Sequence, residues 1–461
     1  MQKVEVVPRS LEDLAGQLTP EQAERLRTAA ARARQVLAGR VVWSVSSTAT
    51  GGGVAEMLHA MLGYVAGAGV QTGWLVLAAD QDFFRITKRL HNAIHGIPDG
   101  AWTAFQHEYY ERVLRRNVPE LLRHVGPDDI VLLHDPQPAG LVGPLRDAGV
   151  LVVWRSHIGR DVPNEASAAG WEFLRPYLEP ADGFVFSRRQ YAPPWVPADR
   201  LWVIPPSIDP LSAKNRPLSA DERLSILLGA GLLAGGRPVG SARVQGAPPP
   251  PPDLPLVVQV SRWDRLKDMA GVMLGFAQLP ASVRDAHLML AGPAVEEVSD
   301  DPEGAAVLAE CLHTWRGLPA GVRERVHLAS LPMHDPQLNA IMVNALQRHA
   351  AVVVQKSLVE GFGLTVAEAM WKARPVVASA VGGIQDQIVD GRDGLLVPDP
   401  YDLPEFAAAV ARELGDPVLA RRLGHAAHVR VRDHFLGDRH LGQYAELFET
   451  LLNRRSSRPA G

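Results

Sequence analysis

Short apolar runs alternate with amphipathic helical stretches along most of this chain, and the alternation stops once and then restarts. Near-continuous apolar strands that alternate with helices are typical of a parallel sheet covered by helices on both faces. At 461 residues the chain is also too long for one ordinary core. We therefore predict an α/β protein with two doubly wound parallel sheets, one on each side of the interruption.

Two sets of apolar runs carry this prediction. The first set is 41–46, 73–79, 129–135, 150–157 and 183–187, and the second is 254–261, 286–292, 325–330, 350–357, 375–379 and 393–397. The interruption contains five consecutive prolines and many glycines, which suit a linker or disordered insertion better than a packed element. The predicted domains are an N-terminal helical extension at 1–39, a first sheet domain at 40–210, the linker or insertion at 211–252, a second sheet domain at 253–430, and a C-terminal helix at 431–461 that can pack back on the first domain.

The composition argues against several classes of protein. Lys and Arg number 47 and Asp and Glu 51, so there is no basic excess for nucleic acid or an anionic membrane. A single cysteine, Cys311, excludes an internal disulfide and fits a reducing compartment. The start of the chain lacks the apolar core of a signal peptide, and the longest apolar run, 226–236, is too short to span a bilayer. We expect a cytoplasmic protein.

A glycine-rich turn follows the first predicted strand, at the edge of the sheet where such folds bind ligands. Gly51, Gly52 and Gly53 lead directly into a helix, whose N-terminal N–H groups and dipole suit a phosphate. The alternative is a turn that packs tightly and binds nothing. The turn matches neither GxGxxG nor the GK[ST] phosphate loop, which argues against nicotinamide binding and NTP hydrolysis. Asp80, after the second strand, resembles the ribose-binding acid of a dehydrogenase only superficially.

Two cations follow the first strand of the second half. Arg262 lies in the turn, and Lys267 lies at or near the start of the next helix. A helix N-terminus repels positive charge, so this position favours a shared anion with several charges, such as a diphosphate. The alternative is a pair of solvated surface charges that Asp264 and Asp268 neutralise.

Two glutamates flank a Gly-Phe-Gly turn after the run at 350–357. Thr365 and Glu368 have the spacing of a capping box, so Glu368 either caps a helix or binds a ribose diol from the same first turn. Glu360 precedes the helix at the end of a strand, where an unpaired buried carboxylate would be costly. We expect a polar partner for Glu360, such as sugar hydroxyls.

Polar residues also end two neighbouring strands of the first half. His134 and Asp135 close the third predicted strand, and His157 closes the fourth. Each histidine alone is more often structural than catalytic, but two clusters at neighbouring strand ends favour a shared site. The chain has no HExxH motif and no paired CxxC, so we predict no metal site.

These motifs together resemble the retaining GT-B glycosyltransferases of family 4. The resemblance rests on RWDRLKD at 262–268 and on EGFGLTVAEAM at 360–370, which contains the Glu-x7-Glu pair of that family. Within the family, GGGVAEML, FFRITKRLHN, LLHDPQP, WRSHIG and VGGIQDQIVDGRDGLLV resemble the trehalose-forming synthases. The resemblance covers about 40–440 and implies two Rossmann-like domains that face each other across a cleft. The segment at 211–252 departs from it, which leaves the acceptor and the oligomeric state open.

The resemblance also implies roles for individual residues. Arg262 and Lys267 match the pair that neutralises the donor diphosphate, Glu360 matches the residue that holds the donor sugar, and His157 lies beside its anomeric region. The implied catalytic residues are His157, Glu360, Arg262 and Lys267. The implied donor-binding residues are Gly52, Gly53, Arg262, Lys267, Gly361, Phe362, Gly363, Leu364, Thr365 and Glu368. We expect His134, Asp135 and Gln137 to contact the acceptor.

The implied activity is retaining transfer of glucose from a nucleoside diphosphate glucose to a sugar, with glucose as the expected acceptor and trehalose as the product. A trehalose phosphorylase, or a related transferase that uses an amino sugar or cyclitol, is the enzymatic alternative. Two further classes are a nucleotide-sugar binding protein without transfer activity and a dinucleotide oxidoreductase. We expect no required cofactor, because cations replace a metal, although a non-essential Mg2+ and a homodimer stay open. The donor base is not predicted.

Overall fold

A computed structural model describes residues 1–50, 52–236, 242–297 and 303–457. The chain divides into two compact units. Unit 1 comprises Met1–Asp209 and Phe435–Gly461, and unit 2 comprises Pro210–His434. Each unit contains one seven-stranded, mainly parallel sheet flanked by helices, which confirms the predicted two-sheet α/β architecture. None of the helices in these described ranges is both long and apolar enough to cross a membrane.

Unit 1 has the sheet order β1-β3-β2-β4-β5-β6-β7, in which only β1 is antiparallel to its neighbour. The strands are β1 (Gln2–Val4), β2 (Val42–Ser46), β3 (Thr72–Val76), β4 (Ile130–His134), β5 (Leu151–Ser156), β6 (Gly183–Phe186) and β7 (Leu201–Val203). The helices are α1 (Leu11–Ala15), α2 (Pro20–Val36), α3 (Gly52–Gly67), α4 (Gln81–Ile94), α5 (Ala104–His124), α6 (Val142–Asp147), α7 (Glu165–Leu178) and the last helix of the chain, α17 (Gly437–Ser456).

Unit 2 has the order β14-β13-β12-β9-β10-β11-β8, in which β8 is the antiparallel edge strand. The strands are β8 (Arg243–Gly246), β9 (Leu256–Val260), β10 (His287–Pro293), β11 (Val326–Leu331), β12 (Val352–Gln355), β13 (Val376–Ser379) and β14 (Leu395–Val397). The helices are α8 (Ala220–Ala230), α9 (Met269–Phe276), α10 (Gly304–Gly317), α11 (Ala320–Arg323), α12 (Pro336–His349), α13 (Leu364–Trp371), α14 (Ile384–Gln387), α15 (Leu403–Gly415) and α16 (Pro417–His434).

The structure differs in part from two predictions about the chain outside the sheets, the helical extension at 1–39 and the linker or insertion at 211–252, of which residues 237–241 lie outside the described residues. The segment 211–252 contains the packed helix α8, which Ser219 caps and Gly231 ends in the left-handed conformation, and the edge strand β8. The segment 1–39 is not wholly helical, because β1 pairs with β3. The strands β1 and β8 are short and lack an apolar run, so their hydrogen bonds to an existing sheet edge, rather than their own composition, determine their structure.

Helix α17 brings the end of the chain into the core of unit 1. Tyr444, Leu447, Phe448 and Leu451 have the i, i+3, i+4, i+7 spacing of one apolar helix face, and they pack in a cluster with sheet residues such as Trp74. Leu447 is fully buried, and burial of one leucine side chain contributes about 1.5–3 kcal/mol. Unit 1 is therefore built from both ends of the sequence.

The order of the strands places a switch point in each sheet. In unit 2 the chain moves from β9 outward through β10 and β11, and then returns to β12 on the other side of β9. In unit 1 it moves from β2 to β3, and then returns to β4 on the other side of β2. Ligands of such sheets bind beyond the carboxyl ends of the two strands at a switch point. The residues after β9 and β12, and after β2 and β4, are therefore the first candidates.

Candidate active site

In unit 2, the residues after β9 and β12 meet in one ion pair. Lys267 ends a short 3-10 turn, Arg265–Lys267, and its Nζ donates to Oε2 of Glu360 over 2.7 Å. The hydroxyl of Ser357 donates to the same oxygen over 3.1 Å. A buried carboxylate needs such partners, because an uncompensated charge is costly to remove from water. The polar partner expected for Glu360 is thus, in this structure, a cation and a hydroxyl of the chain itself.

Arg262 is the more exposed of the two predicted cations. Its side chain is 45% exposed, and its guanidinium lies 3.4 Å from a carboxylate oxygen of Asp264. Asp268 does not neutralise Lys267 but pairs with Lys356. The alternative prediction is that both cations are surface charges neutralised by Asp264 and Asp268. Arg262 does contact Asp264, but Lys267 pairs with Glu360 instead of Asp268.

The Gly-Phe-Gly turn is held by a residue that sequence reasoning missed. Gly363 has φ 86, in the left-handed region that favours glycine, and it precedes the first residue of α13, Leu364. The side-chain amide of Gln387, which is fully buried, donates to the carbonyls of Phe362 and Gly363. A Cβ on Gly383 would lie 2.7 Å from Cα of Phe362, so the turn is also tightly packed from that side.

The predicted capping box is wrong. Gly363, rather than Thr365, is the N-cap of α13, and no side chain caps that end. Thr365 already lies in the first turn, and its hydroxyl donates to Oε1 of Gln355 over 3.0 Å. Glu368 is buried, and one of its carboxylate oxygens lies 3.7 Å from Nζ of Lys214. The structural alternative for Glu368, which depended on the cap, therefore loses its support.

In unit 1, the residues after β2 and β3 each lead into a helix. Gly52 begins α3 and Gly53 follows it with an exposed backbone, as the predicted helix entrance requires; Gly51 lies outside the described residues. Asp80 accepts a hydrogen bond from the N–H of Phe83 and caps α4, which accounts for it without a dinucleotide.

The two predicted histidines of unit 1 are in direct contact. Nδ1 of His134 lies 3.1 Å from Nε2 of His157, and the N–H of His157 donates to Oδ1 of Asp135 over 2.7 Å. Burial lowers the pKa of His134 to about 3 and that of His157 well below its ordinary value, with the nearby charge of Arg155 acting in the same direction. Burial also raises the pKa of Asp135 to about 7. Both imidazoles are therefore neutral at neutral pH.

A buried guanidinium supports this pair, and sequence reasoning missed it. Arg155 lies in β5, two residues before His157, and is fully buried. Its Nε donates to the His157 ring, and an Nη donates to the hydroxyl of Tyr444 over 2.5 Å. Next to it, Nδ1 of His440 lies 2.8 Å from the hydroxyl of Ser207. A charged residue directly after the apolar run at 150–154 was the available signal.

Gln137 and His134 also have polar atoms that the fold leaves unsatisfied. Within the described part of the chain, the buried Oε1 of Gln137 and Nε2 of His134 have no hydrogen-bond partner. Buried polar atoms are nearly always paired, so both atoms are candidates to bind a ligand or water. Among the same described residues, no three or more His, Cys, Asp or Glu side chains are grouped so as to hold a metal ion.

Two family models match the chain, one in each unit. Residues 44–193 match the model for trehalose synthase, N-terminal domain, and residues 255–416 match the model for glycosyl transferases group 1. The first model ends before Asp209 and the second begins after Pro210, so each lies within one compact unit.

Similar proteins extend over nearly the whole chain. A trehalose synthase of Rubrobacter xylanophilus is 38% identical over 91% of this chain and 93% of its own length. A trehalose synthase of Pyrococcus horikoshii is 34% identical over 96% of this chain and 97% of its own length. A trehalose phosphorylase of Pleurotus pulmonarius is 27% identical over 84% of this chain, but only 54% of its own length is covered.

Solved structures share the fold at lower sequence identity. Trehalose-6-phosphate synthase OtsA has a TM-score of 0.68 and 17% identity over 91% of this chain and 100% of that one. Sucrose-phosphate synthase from Thermosynechococcus elongatus has a TM-score of 0.65 and 20% identity over 90% of this chain and 100% of that one. These similarities show the GT-B fold and confirm the predicted fold class.

Proposed function

We propose that this chain, which belongs to the trehalose synthase family of glycosyltransferases, transfers glucose with retention from a nucleoside diphosphate glucose to a sugar hydroxyl. Its relatives establish a glycosyltransferase of trehalose metabolism. The donor, the stereochemistry and the direction of the reaction are parts of the proposal. With free glucose as the acceptor, the product is trehalose.

The contact between Lys267 and Glu360 is the observation that carries the proposal. These residues lie 93 positions apart, yet they meet beyond neighbouring strands at the switch point of unit 2. A cation and a carboxylate side by side suit a donor that has a diphosphate at one end and sugar hydroxyls at the other. Glu368, on the helix that follows Glu360, adds a second carboxylate for the nucleoside ribose.

The difficult step is the departure of the diphosphate from the anomeric carbon. Negative charge develops on the leaving oxygen as the carbon–oxygen bond breaks, and positioned cations that stabilise this charge are the largest contribution a site can make. Arg262 and Lys267 serve this purpose in the proposal. Because Lys267 also pairs with Glu360, donor binding redistributes its hydrogen bonds between the carboxylate and the phosphate.

Retention requires the acceptor oxygen to attack the face that the phosphate leaves. We propose that the bond to the phosphate oxygen breaks, the bond to the acceptor oxygen forms on the same face, and the acceptor proton passes to the departing phosphate oxygen. No side-chain base is needed for this transfer. Glu360 holds and electrostatically supports the donor sugar, and the neutral ring of His157 is suited to hydrogen-bond a sugar hydroxyl without changing its charge.

Substitution of Arg262 tests the proposed charge stabilisation. Arg262→Ala should lower kcat about 100-fold or more, as loss of other charge-stabilising donors does. Arg265→Ala is the matched control, because Arg265 lies in the same turn and pairs with the exposed Glu310. A kcat for Arg262→Ala within threefold of that of the control would remove Arg262 from the mechanism.

A panel of donors tests the reaction itself. UDP-, ADP- and GDP-glucose are each incubated with free glucose, and NMR identifies the linkage and the anomeric configuration of the product. The proposal predicts an α,α-1,1-linked disaccharide with at least one donor. Trehalose with inorganic phosphate is incubated in parallel, and glucose 1-phosphate there, with no transfer from any nucleotide donor, would identify a phosphorylase instead.

A further inference from the structure

Two consecutive residues of unit 2, Lys214 and Asn215, contact Glu368 of α13 and Lys372, the residue that directly follows this helix. Nζ of Lys214 lies 3.7 Å from Oε1 of Glu368, and both side chains are largely buried, at 17% and 5% exposure. Oδ1 of Asn215 accepts a hydrogen bond from Nζ of Lys372 over 2.9 Å. Lys372 lies one helical turn after Glu368, and its Nζ also donates to the carbonyl of Glu368 over 3.1 Å. The pair therefore fixes the part of α13 that carries this glutamate.

The backbone around Lys214 is held in place by α12. The side-chain amide of Asn344 donates to the carbonyls of Ala213 and Arg216, each over 2.9 Å. The guanidinium of Arg348 donates to the carbonyl of Asn215 over 2.9 Å. Because side chains of a packed helix bind carbonyls on both sides of Lys214, the direction of the Lys214 side chain is set by the fold of unit 2.

This placement has an electrostatic consequence for Glu368. A carboxylate that is 4% exposed needs a nearby cation to remain ionised at low cost. An ionised carboxylate accepts hydrogen bonds from both hydroxyls of a cis-diol, whereas a protonated one uses an oxygen as a donor. The ammonium of Lys214 lies 3.7 Å from Oε1 and provides a compensating charge. Lys372 is a second cation near this carboxylate, but burial lowers its pKa to about 7, so it is only partly charged at neutral pH.

We propose that Lys214 is a positioning residue for donor recognition, which keeps Glu368 ionised and oriented for the ribose diol of the nucleoside diphosphate. This inference rests on the proposed function. Lys214 lies between the segments that the two family models match, 44–193 and 255–416, so neither model includes it.

Affinity for a ribonucleoside diphosphate and for its 2′-deoxy counterpart tests the inference. Calorimetry measures Kd for UDP, ADP and GDP, and then for the 2′-deoxy form of the tightest binder. We expect the wild type to prefer the ribose form by about tenfold or more, because the deoxy form leaves a buried acceptor unpaired. Lys214→Met and Glu368→Gln should each reduce this preference to about threefold or less, and the double variant should be no worse than either single one.

The matched control is Arg216→Met, which removes a cation from the same segment. Arg216 pairs with Glu222 rather than with Glu368, so its loss should leave the ribose preference unchanged. Lys214→Arg restores a cation and should recover at least part of the preference. Lys214→Gln serves as a second neutral variant if the methionine variant does not fold.

Different results of these binding measurements would contradict the role of Lys214 and the proposed function. If Glu368→Gln loses the ribose preference while both neutral Lys214 variants keep it, Lys214 has no role in recognition and the proposed function stands. A lower melting temperature for the Lys214 variants with an unchanged preference would likewise reduce Lys214 to a structural residue. If the wild type binds no nucleoside diphosphate, or Glu368→Gln keeps the preference, the assignment of the donor site is wrong and the inference falls with it.

Discussion

The carboxyl of Asp135 makes the stability of unit 1 depend on pH in an unusual direction. Asp135 follows β4 with φ 67, and its Oδ1 accepts the N–H of His157 over 2.7 Å. Burial raises the pKa of this carboxyl from 3.8 to about 7, although the hydrogen bond from His157 and the charge of Arg155 oppose the rise. Most aspartates that accept a hydrogen bond have a lowered pKa, so Asp135 should behave in the opposite way.

The direction of this pH dependence follows from the number of protons that the folded and unfolded states bind. In the unfolded chain the carboxyl loses its proton near pH 3.8, while in the folded protein it keeps it until about pH 7. Between these values the folded state binds more protons, so the free energy of unfolding falls as the pH rises. The stabilising contribution is therefore complete below pH 3.8 and lost by about pH 7. At about 1.4 kcal/mol for each pH unit, the loss amounts to at most about 4 kcal/mol.

Asp135→Asn should abolish this dependence. Asparagine offers the same oxygen to the N–H of His157, tolerates positive φ, and does not titrate. Urea denaturation at pH values from 4 to 8 should show similar free energies of unfolding for the two proteins near pH 4. The variant should then become more stable than the wild type by up to about 4 kcal/mol at pH 8.

Asp199→Asn is the matched control for Asp135→Asn. Asp199 belongs to the same unit, its side chain is 72% exposed, and its nearest cation is Arg454 at 3.7 Å. We expect the control to change the pH profile by less than about 0.5 kcal/mol. A difference between Asp135→Asn and the wild type that stays constant from pH 4 to 8 would show that this carboxyl is ionised throughout, and the argument from burial would be wrong.

Three further predictions concern the core and the turn of the candidate site. Leu447→Ala should lower the free energy of unfolding by about 2–5 kcal/mol in urea denaturation, because the fully buried Leu447 fixes α17 to the sheet of unit 1. Tyr444→Phe should cost about 1–3 kcal/mol in the same assay, because the buried guanidinium of Arg155 loses an acceptor, and an unchanged stability would mean that water replaces it. Gly383→Ala should cost about 1–3 kcal/mol and raise the donor KM, since its Cβ would lie 2.7 Å from Cα of Phe362; an unchanged KM would show that the turn can relax.

The sheets were predictable because their central strands are buried on both faces. Each of the eleven apolar runs predicted as strands contains a strand in the structure, from Val42–Ser46 in unit 1 to Leu395–Val397 in unit 2. The three strands that sequence reasoning missed, β1, β7 and β8, have three or four residues each and lie at sheet edges. A strand of three or four residues is too short to show a periodic pattern. Its structure depends on hydrogen bonds to a neighbouring strand elsewhere in the sequence, which local composition does not reveal.

The positions of the candidate site residues were more predictable than their contacts. That ligand-binding residues follow strands is a general property of the fold, so Arg262, Lys267 and Glu360 could be selected from sequence. The pairing of Lys267 with Glu360 required the order of the strands, which places β9 beside β12. The capping box failed because Gly363, in the left-handed conformation, starts α13 before Thr365.

One compositional signal could have found more of the site. The chain has only six lysines among 47 basic residues, so arginine supplies nearly all of its positive charge. All four lysines of unit 2 are largely buried: Lys214 and Lys267 approach the two glutamates, Lys356 pairs with Asp268, and Lys372 is bound by three oxygen acceptors.

The different shapes of the lysine and arginine side chains account for this distribution of lysines. A guanidinium is a wide planar fork, whereas an ammonium is a compact point charge that fits beside a single carboxylate in a small buried space. In a chain that prefers arginine, a retained lysine therefore indicates a position where the cation has to fit within a packed site. This criterion narrows the search to six positions, which include Lys214 and Lys372, but it also selects Lys3, which is exposed. The same difference in shape predicts that Lys214→Arg recovers the ribose preference only in part, because a wide guanidinium fits less well than an ammonium in the buried space beside Glu368.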